Sequence, residues 1–347
     1  MHVTRWVLAI LVTVSVVLAA VSVRVHRGGG GGFPSPSSGR MLPFDTALVG
    51  EPRVLGTLGD GEVDEVVDVA TAGDTIYMLS RTSWRSITGT RSRGPFGEQP
   101  SGGPEGIDRG ARIISANGSI YILDTNRREV TRWSTDGGLI ERVRVGAAAR
   151  PIVPLDIAIV ADGTVFVVAQ EFQREGARWV LLRVDADSSR VLREGAGNLS
   201  LFTQPRIAAA HDELLLFDPV SHATEALFSG QVRPRTDGPV WATPDSLREQ
   251  FAARVGRLGT RFGTSLTLPD SMPSLQAAVV TRAGVVLTGS NPVGDALHIE
   301  AFRPDGTPLG RISLEPLPAP VFLTADGVVR VAETPHSIVF TLLPIRR

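Results

Sequence analysis

Residues 113–123, Ile113-Ile-Ser-Ala-Asn-Gly-Ser-Ile-Tyr-Ile-Leu123, decide how this sequence folds. Two apolar runs flank Asn117 and Gly118, and these residue types tolerate the positive φ angles of a tight type I′ turn. The stretch therefore predicts a β-hairpin. Its second run, residues 120–123, is continuously apolar, which indicates a strand that is buried on both faces.

The same hairpin design recurs five more times, and the turns follow one another at intervals of 44, 45, 49, 72 and 43 residues. A period in the mid-forties with four strands per unit is typical of a β-propeller blade. The outer half of a unit is clearest at 129–145, where two alternating strands flank an Asp-Gly turn. We therefore predict an all-β, six-bladed β-propeller. The six turns lie at Asp74, Gly118, Gly163, Asp212, Gly284 and Gly327.

The two ends of the repeat predict how the ring closes. The last unit stops after a third strand at 338–343, one strand short of a full blade. We expect residues 53–58 to supply the missing outer strand, which would remove a free strand edge. The alternative architectures are an open solenoid or two β-sandwiches.

A family resemblance appears at residues 121–137, Tyr121-Ile-Leu-Asp-Thr-Asn-Arg-Arg-Glu-Val-Thr-Arg-Trp-Ser-Thr-Asp-Gly137. An apolar strand, an Asp, a short polar turn and an alternating strand that ends in Asp-Gly resemble an NHL-type repeat. The resemblance covers residues 50–347 as a pattern and is strong in the second and third units. It implies a six-bladed propeller but no particular activity, because this fold hosts binding scaffolds, lactonases and lyases alike.

The N-terminus predicts a membrane association. Residues 6–23 form an uncharged apolar stretch that is long enough to span a bilayer core of about 30 Å. Five glycines at 28–32 then predict a flexible tether. We expect a signal anchor or signal peptide at 1–27, a Gly/Pro/Ser linker at 28–45 and the propeller at 46–347. The anchor is favoured because the apolar run is long for a signal peptide. The propeller is expected outside the cytoplasm, either anchored in the membrane or secreted.

Two stretches depart from the repeat. Residues 85–110 are rich in Gly, Pro, Ser and Arg and predict a mobile surface loop or a partner-docking segment. The interval of 72 residues contains an insertion at 234–272. Thr243-Pro244-Asp245 has the residue types of a helix start, and an apolar stripe follows it. This predicted inserted helix would pack on a blade edge or cover the channel.

Composition excludes several kinds of chemistry. The chain has no Cys, which excludes disulfides, thiolate catalysis and Cys-based metal sites. Its 35 basic residues balance 36 acidic ones, whereas nucleic-acid binding normally needs a basic surplus. The sequence also lacks a serine-hydrolase elbow, a His-Glu-x-x-His zinc motif and a Walker loop.

Charged residues at equivalent repeat positions are the candidate site. In four units the innermost strand begins with an Asp or Arg at the expected channel mouth, whereas the other two units have Ala277 and Pro320 at that position. The four are Asp68, Arg112, Asp156 and Arg206. A second set ends the following strands, at Asp124, Asp218, Asn291 and Glu333. One interpretation is structural: the first set forms an ion-paired ring, and the second set consists of polar residues that end buried strands. The other is a ligand pocket, or a divalent cation on carboxylate oxygens, which hard cations prefer.

The sequence thus predicts a membrane-tethered binding or scaffold propeller that takes a protein or a small ligand at the channel face. The competing hypothesis is a metal-dependent hydrolase or lactonase that uses Asp68 and Asp156. Propeller lactonases that this fold resembles hold a channel metal with Glu, Asn and Asp. Those ligands cannot be matched residue by residue in this sequence, so the resemblance does not favour the enzyme.

Overall fold

A computed structural model describes most of the predicted propeller. The described residues are 45–59, 65–98, 106–146, 152–173, 176–186, 188–197, 205–218, 223–234, 241–242, 245, 249, 271–272, 277–290, 298–314 and 320–346. The predicted N-terminal anchor and its linker up to residue 44 lie outside them. In the described part of the chain, no helix is long and apolar enough to cross a membrane.

Six four-stranded antiparallel sheets surround a central channel, so the predicted six-bladed propeller is confirmed. Blades 1 and 2 are β2 (Asp68–Ala72), β3 (Thr75–Leu79), β4 (Trp84–Thr88) and β5 (Arg91–Phe96), then β6 (Gly110–Ala116), β7 (Ser119–Asp124), β8 (Glu129–Ser134) and β9 (Leu139–Arg144). Blades 3 and 4 are β10 (Ile152–Ile159), β11 (Val165–Gln173), β12 (Gly176–Asp185) and β13 (Ser188–Gly197), then β14 (Arg206–Ala210), β15 (Glu213–Asp218), β16 (Ala223–Ala226) and β17 (Gln231–Pro234).

The last two blades complete the ring. Blade 5 is β20 (Ala277–Val280), β21 (Val286–Ser290), β22 (His298–Phe302) and β23 (Pro308–Ser313). Blade 6 is β24 (Val321–Thr324), β25 (Gly327–Thr334), β26 (Ser337–Pro344) and, from the start of the chain, β1 (Arg53–Gly59). Each inner strand packs beside the inner strand of the next blade, and β24 packs beside β2. The ring is therefore closed.

Blade 6 joins the two ends of the chain in the predicted way. β1 pairs antiparallel with β26, and Thr57 lies opposite Val339. Leu55 and Leu58 of β1 enter the hydrophobic core between blades 6 and 1, where they contact side chains such as Phe340. The first strand therefore contributes both hydrogen bonds and apolar packing to ring closure.

The hydrophobic core lies between neighbouring blades. Ile76, Leu123 and Leu287, all on the second strands of their blades, are fully buried. These strands pack against the blade on either side, which confirms the burial that their continuous apolar runs predict.

The predicted type I′ turn is present at Asn117-Gly118 but not at Asp162-Gly163. Asn117 and Gly118 both have positive φ angles, 50° and 68°. At Asp162 and Gly163 only the glycine has a positive φ, 88°, and its N–H donates to the Val160 carbonyl at 2.9 Å. This is a longer loop, a type I turn closed by a left-handed glycine. The type I′ prediction is therefore wrong for this Asp-Gly turn.

The loop prediction for 85–110 is wrong over its first half, because residues up to Phe96 form β4 and β5. Trp84 and Ile87 of this outer hairpin are fully buried. The Trp84 and Phe96 rings pack with centroids 4.7 Å apart. The turn-rich composition concealed the hairpin because its last strand is largely exposed and needs few apolar residues.

The insertion at 234–272 begins and ends on a two-stranded ribbon. β18 (Trp241–Ala242) pairs antiparallel with β19 (Ser271–Met272). The predicted inserted helix lies between these strands, where the structure describes only residues 245 and 249. That prediction therefore falls almost wholly outside the described residues.

We expect Leu58→Ala to destabilise the propeller by about 2–5 kcal/mol, because it removes a buried side chain from the closing strand. Leu58 is 2% exposed. Val54→Ala is the matched control, since Val54 lies on the same strand and is 62% exposed. The control should change stability by less than about 0.5 kcal/mol. Urea unfolding of both variants measures the difference, and equal midpoints would contradict the closing role of β1.

Candidate functional site

The four charged residues predicted at the channel mouth do occupy equivalent positions. Each lies at or near the start of an inner strand, opposite an apolar residue of the second strand. The pairs are Asp68 with Leu79, Arg112 with Leu123, Asp156 with Val168 and Arg206 with Phe217. We call Asp68, Arg112, Asp156 and Arg206 the mouth cluster.

The two carboxylates of the mouth cluster tie one blade to the next. Asp68 Oδ2 accepts a hydrogen bond from the Ile113 N–H at 2.9 Å, and Asp156 Oδ2 accepts one from the Ile207 N–H at 3.2 Å. An inner strand has a hydrogen-bonded neighbour on one side only, so some of its N–H groups need another acceptor. Asp68 thus connects blades 1 and 2, and Asp156 connects blades 3 and 4.

Arg112 lies between the two carboxylates. Its Nε atom is 3.6 Å from Asp68 Oδ2 and 3.2 Å from Asp156 Oδ1. Burial lowers the pKa of Arg112, but the two carboxylates more than offset this, so the guanidinium pKa is raised from its ordinary value. Part of the predicted ion-paired ring therefore exists, as an Asp–Arg–Asp bridge across blades 1 to 3.

One guanidinium serves two buried carboxylates in this bridge. Asp68 is 5% exposed and Asp156 is 1% exposed. Burial raises the pKa of Asp68 above its ordinary value of 3.8, and it outweighs the opposing effects of Arg112 and of the Ile113 N–H. Asp156 adds to the increase through charge repulsion. The ionised form of Asp68 is therefore incompletely compensated.

Arg206, the fourth member of the mouth cluster, forms no ion pair with any described residue. Its Nε atom is buried and donates no hydrogen bond within the described chain. Burial lowers the pKa of Arg206, the Asp156 carboxylate opposes this effect, and Arg112 adds to it. The side chain as a whole is half-buried, and leaving a buried Nε without a hydrogen bond costs free energy. Arg206 is therefore the member of the mouth cluster that has no ion pair among the described residues.

The remaining two blades add no charge at the equivalent positions. Blade 5 has Ala277 there, and Pro320 precedes the inner strand of blade 6. At these equivalent positions the described chain is charged in blades 1 to 4 and uncharged in blades 5 and 6.

A cavity of about 180 Å³ runs along the channel below the mouth cluster. All six inner strands line it, and Asp68 and Arg112 form part of its wall at the mouth. Most of the lining side chains are aliphatic. One example from each blade, in order, is Val69, Ile114, Ala158, Ala208, Val279 and Leu323. The channel thus combines a charged entrance with a mainly apolar interior.

The far end of the channel is held by residues that the sequence did not single out. The Thr71 and Thr324 hydroxyl oxygens are 3.0 Å apart and connect blades 1 and 6. Arg282, in the inner turn of blade 5, donates to the Thr71 carbonyl at 3.0 Å and pairs with the Asp326 carboxylate. Its sequence context is that of an ordinary turn residue, so no local pattern indicated this bridge.

The second predicted set does not join the mouth cluster as a group. Asp124 is 1% exposed and holds its own turn, since Oδ1 accepts the N–H groups of Asn126 and Arg127, each at 3.0 Å. Oδ2 accepts the N–H of Asp108 at 2.7 Å. This Asp therefore has a structural use for both carboxylate oxygens.

Two of the other three members lie among the described residues. Glu333 is exposed near the β25–β26 turn, Asp218 is half-buried at the end of β15, and Asn291 lies outside the described residues. Among the described residues, no three His, Asp or Glu side chains form a group that could hold a metal. Ligand or cation binding by these residues stays a prediction.

Comparison with known proteins shows the fold alone. No protein-family model and no curated protein match this chain. A candidate exported protein from Bacteroides fragilis superposes with a TM-score of 0.56 at 10% identity, over 88% of this chain and 99% of that one. This is a likeness of fold.

Two other solved structures are more distant. Regucalcin, a calcium-binding protein from Agrobacterium tumefaciens, has a TM-score of 0.44 at 12% identity, over 89% of this chain and 97% of its own. The PQQ-bound aldose sugar dehydrogenase from Streptomyces coelicolor has a TM-score of 0.46 at 14% identity, over 85% and 98%. At these values neither carries an argument about activity. The NHL-type pattern remains compatible with the propeller.

Asp68→Asn should become more stable relative to the unsubstituted protein as the pH rises from about 4 to 7. Because folding raises the pKa of Asp68, the stability that this group contributes is present below 3.8 and is lost as the pH rises through the folded-state pKa. The amide has no such titration and can still accept the Ile113 N–H. Urea unfolding of both proteins at several pH values measures the difference, and a constant difference would contradict the assignment.

Proposed function

We propose that this chain is a membrane-tethered, extracytoplasmic binding propeller that takes a small ligand at the channel mouth. The Nε atom of Arg206, buried at the channel mouth without a hydrogen-bond partner among the described residues, carries the proposal, together with the cavity that begins at the neighbouring Ile207. Sites with a mainly apolar cavity and a few placed polar groups are typical of small-molecule binding. The closed ring of six blades fixes the shape of this entrance.

The position of the tether agrees with binding at the mouth. The Gly50 N–H donates to the Pro344 carbonyl at 2.7 Å. Pro344 pairs with Gly327, at the inner-turn end of blade 6, whereas the mouth cluster lies at the opposite end of the inner strands. The described chain therefore joins blade 6 at the end away from the mouth, which is compatible with an anchor that leaves the mouth facing solvent.

The geometry favours binding over the metal-dependent hydrolase that the sequence left open. Asp68 and Asp156 already accept backbone N–H groups, and Arg112 lies between them. A divalent cation on both carboxylates would have to displace this guanidinium. We therefore propose a binding function, and divalent cations are included among the ligands that test it.

The compartment can be tested with single thiols, because the chain has no Cys of its own. Val232→Cys places a thiol at a site that is 64% exposed, and Leu287→Cys places one at a fully buried site. In spheroplasts, a membrane-impermeant maleimide should label the first variant and should label the second only after denaturation. Labelling of Val232→Cys only after membrane lysis would contradict the extracytoplasmic location.

Ligand binding at the mouth can be tested with a panel of ligand classes. The full chain in detergent is melted with neutral sugars, amino acids, nucleotides, monocarboxylates, dicarboxylates and divalent cations. At least one class should raise the melting temperature of the unsubstituted protein but not of Arg206→Gln. The control is Arg53→Gln, an exposed arginine near the inner turn of blade 1 that pairs with Asp74. If no class shifts the transition, the proposed binding function is wrong.

If divalent cations alone shift the transition, and Asp156→Ala abolishes that shift, the metal-dependent enzyme becomes the better explanation. A shift that Arg53→Gln also loses would place binding elsewhere on the protein. The panel therefore separates binding at the mouth from both alternatives.

A further inference from the structure

Arg206 lies on the face of β14 that is directed toward blade 5. Side chains two residues apart share one face of a strand, so Arg206 and Ala208 lie on the same side. Ala208 packs in one apolar cluster with Ala278 of blade 5. The equivalent first residue of blade 5 is Ala277, which has no side-chain acceptor to offer. The strand face thus directs Arg206 toward blade 5, and its charged neighbours on the other side are Asp156 and Arg112.

We propose that Arg206 binds the carboxylate of a small organic monocarboxylate whose aliphatic body occupies the channel cavity. This inference rests on the proposed function and names the chemical class of its ligand. Guanidinium and carboxylate form two parallel charge-assisted hydrogen bonds, which would give the buried cation the partner it lacks.

The charges around Arg206 favour a single negative charge on the ligand. Asp68 and Asp156 share Arg112, so the first three members of the mouth cluster carry one negative charge in excess when ionised. Arg206 brings the formal charge of the cluster to zero, so a bound monoanion leaves one negative charge in excess and a bound dianion leaves two. A phosphate dianion or a dicarboxylate would add a second negative charge near the two buried carboxylates, where like charges repel strongly. A neutral ligand would leave the guanidinium without a charged partner.

The cavity sets the size and polarity of the ligand body. Ile207, the next residue after Arg206, lines the cavity together with Arg112, so the cavity begins one residue from Arg206 along β14. Its volume of about 180 Å³ is similar to the engineered apolar cavity of about 150 Å³ that admits benzene in another protein. Aliphatic side chains form most of the wall. The ligand body should therefore contain about six carbon atoms and no second charge.

Titration calorimetry of the full chain in detergent tests this inference with defined probes. Hexanoate should bind with one site per chain, and affinity should rise about fourfold per methylene from acetate to hexanoate. Hexanamide and inorganic phosphate should bind at least tenfold more weakly than hexanoate. Equal affinity for hexanamide, or no saturable binding of any monocarboxylate, would overturn the inference.

Three variants locate the site. Arg206→Gln should weaken hexanoate binding at least tenfold, whereas Arg53→Gln, which removes the same charge from an exposed position, should leave it unchanged. Arg206→Lys keeps the charge but not the two-pronged geometry, so its affinity should be intermediate. Unchanged affinity in a folded Arg206→Gln protein would refute the role of this residue.

A chemical measurement on the unsubstituted protein covers the case in which Arg206→Gln does not fold. Hexanoate should protect Arg206 from modification by phenylglyoxal, as measured by mass spectrometry of its peptide, and hexanamide should not. Equal modification with and without hexanoate would overturn the inference. If monocarboxylates fail while another ligand class of the panel binds in an Arg206-dependent way, the inference fails alone. If no class binds, the proposed function fails with it.

Discussion

The pairing of β1 with β26 is the constraint on which the rest of the structure depends. The inner strands form a channel only because the sixth blade is completed by a strand from the opposite end of the chain. An open arc would leave a free edge on blade 6 and would separate β24 from β2. The Thr71–Thr324 contact, which spans blades 1 and 6, exists for the same reason. Every property of the channel therefore depends on ring closure.

Closure also explains why charge collects at the channel mouth. A propeller exposes one side of each inner strand to the channel, and backbone N–H groups on that side have no strand partner. Asp68 and Asp156 supply acceptors from the preceding blade. Two buried carboxylates then require a cation, and Arg112 provides it. Three members of the mouth cluster are thus accounted for by the needs of the fold.

The sequence predicted the blades well because their information is local and repeated. Hairpin turns and apolar runs recur with a nearly constant period, and the position of Asp68, Arg112, Asp156 and Arg206 follows from aligning the turns. The outer hairpin at 84–96 was missed because its exposed strand carries turn-forming residues that resemble a loop.

The connections between units could not be read in the same way. No pattern within one repeat shows that Arg112 bridges two carboxylates, or that Arg282 reaches blades 6 and 1. The same limit applies to Asp124, which matched a site position but is used by its own turn. Contacts between blades depend on the closed ring, and the repeat pattern specifies them only through that closure.

Arg206 is the member of the mouth cluster that the fold does not account for. A ring built for stability alone would pair each cation that is withdrawn from water. An unpaired charge in a low-dielectric site lowers the free energy of unfolding, and an ion pair offsets part of that cost. Within the described chain, Arg206 has neither an ion pair nor a hydrogen bond at its buried Nε. The proposed ligand would supply the ion pair that Arg206 lacks among the described residues and would offset the free-energy cost of its buried Nε atom.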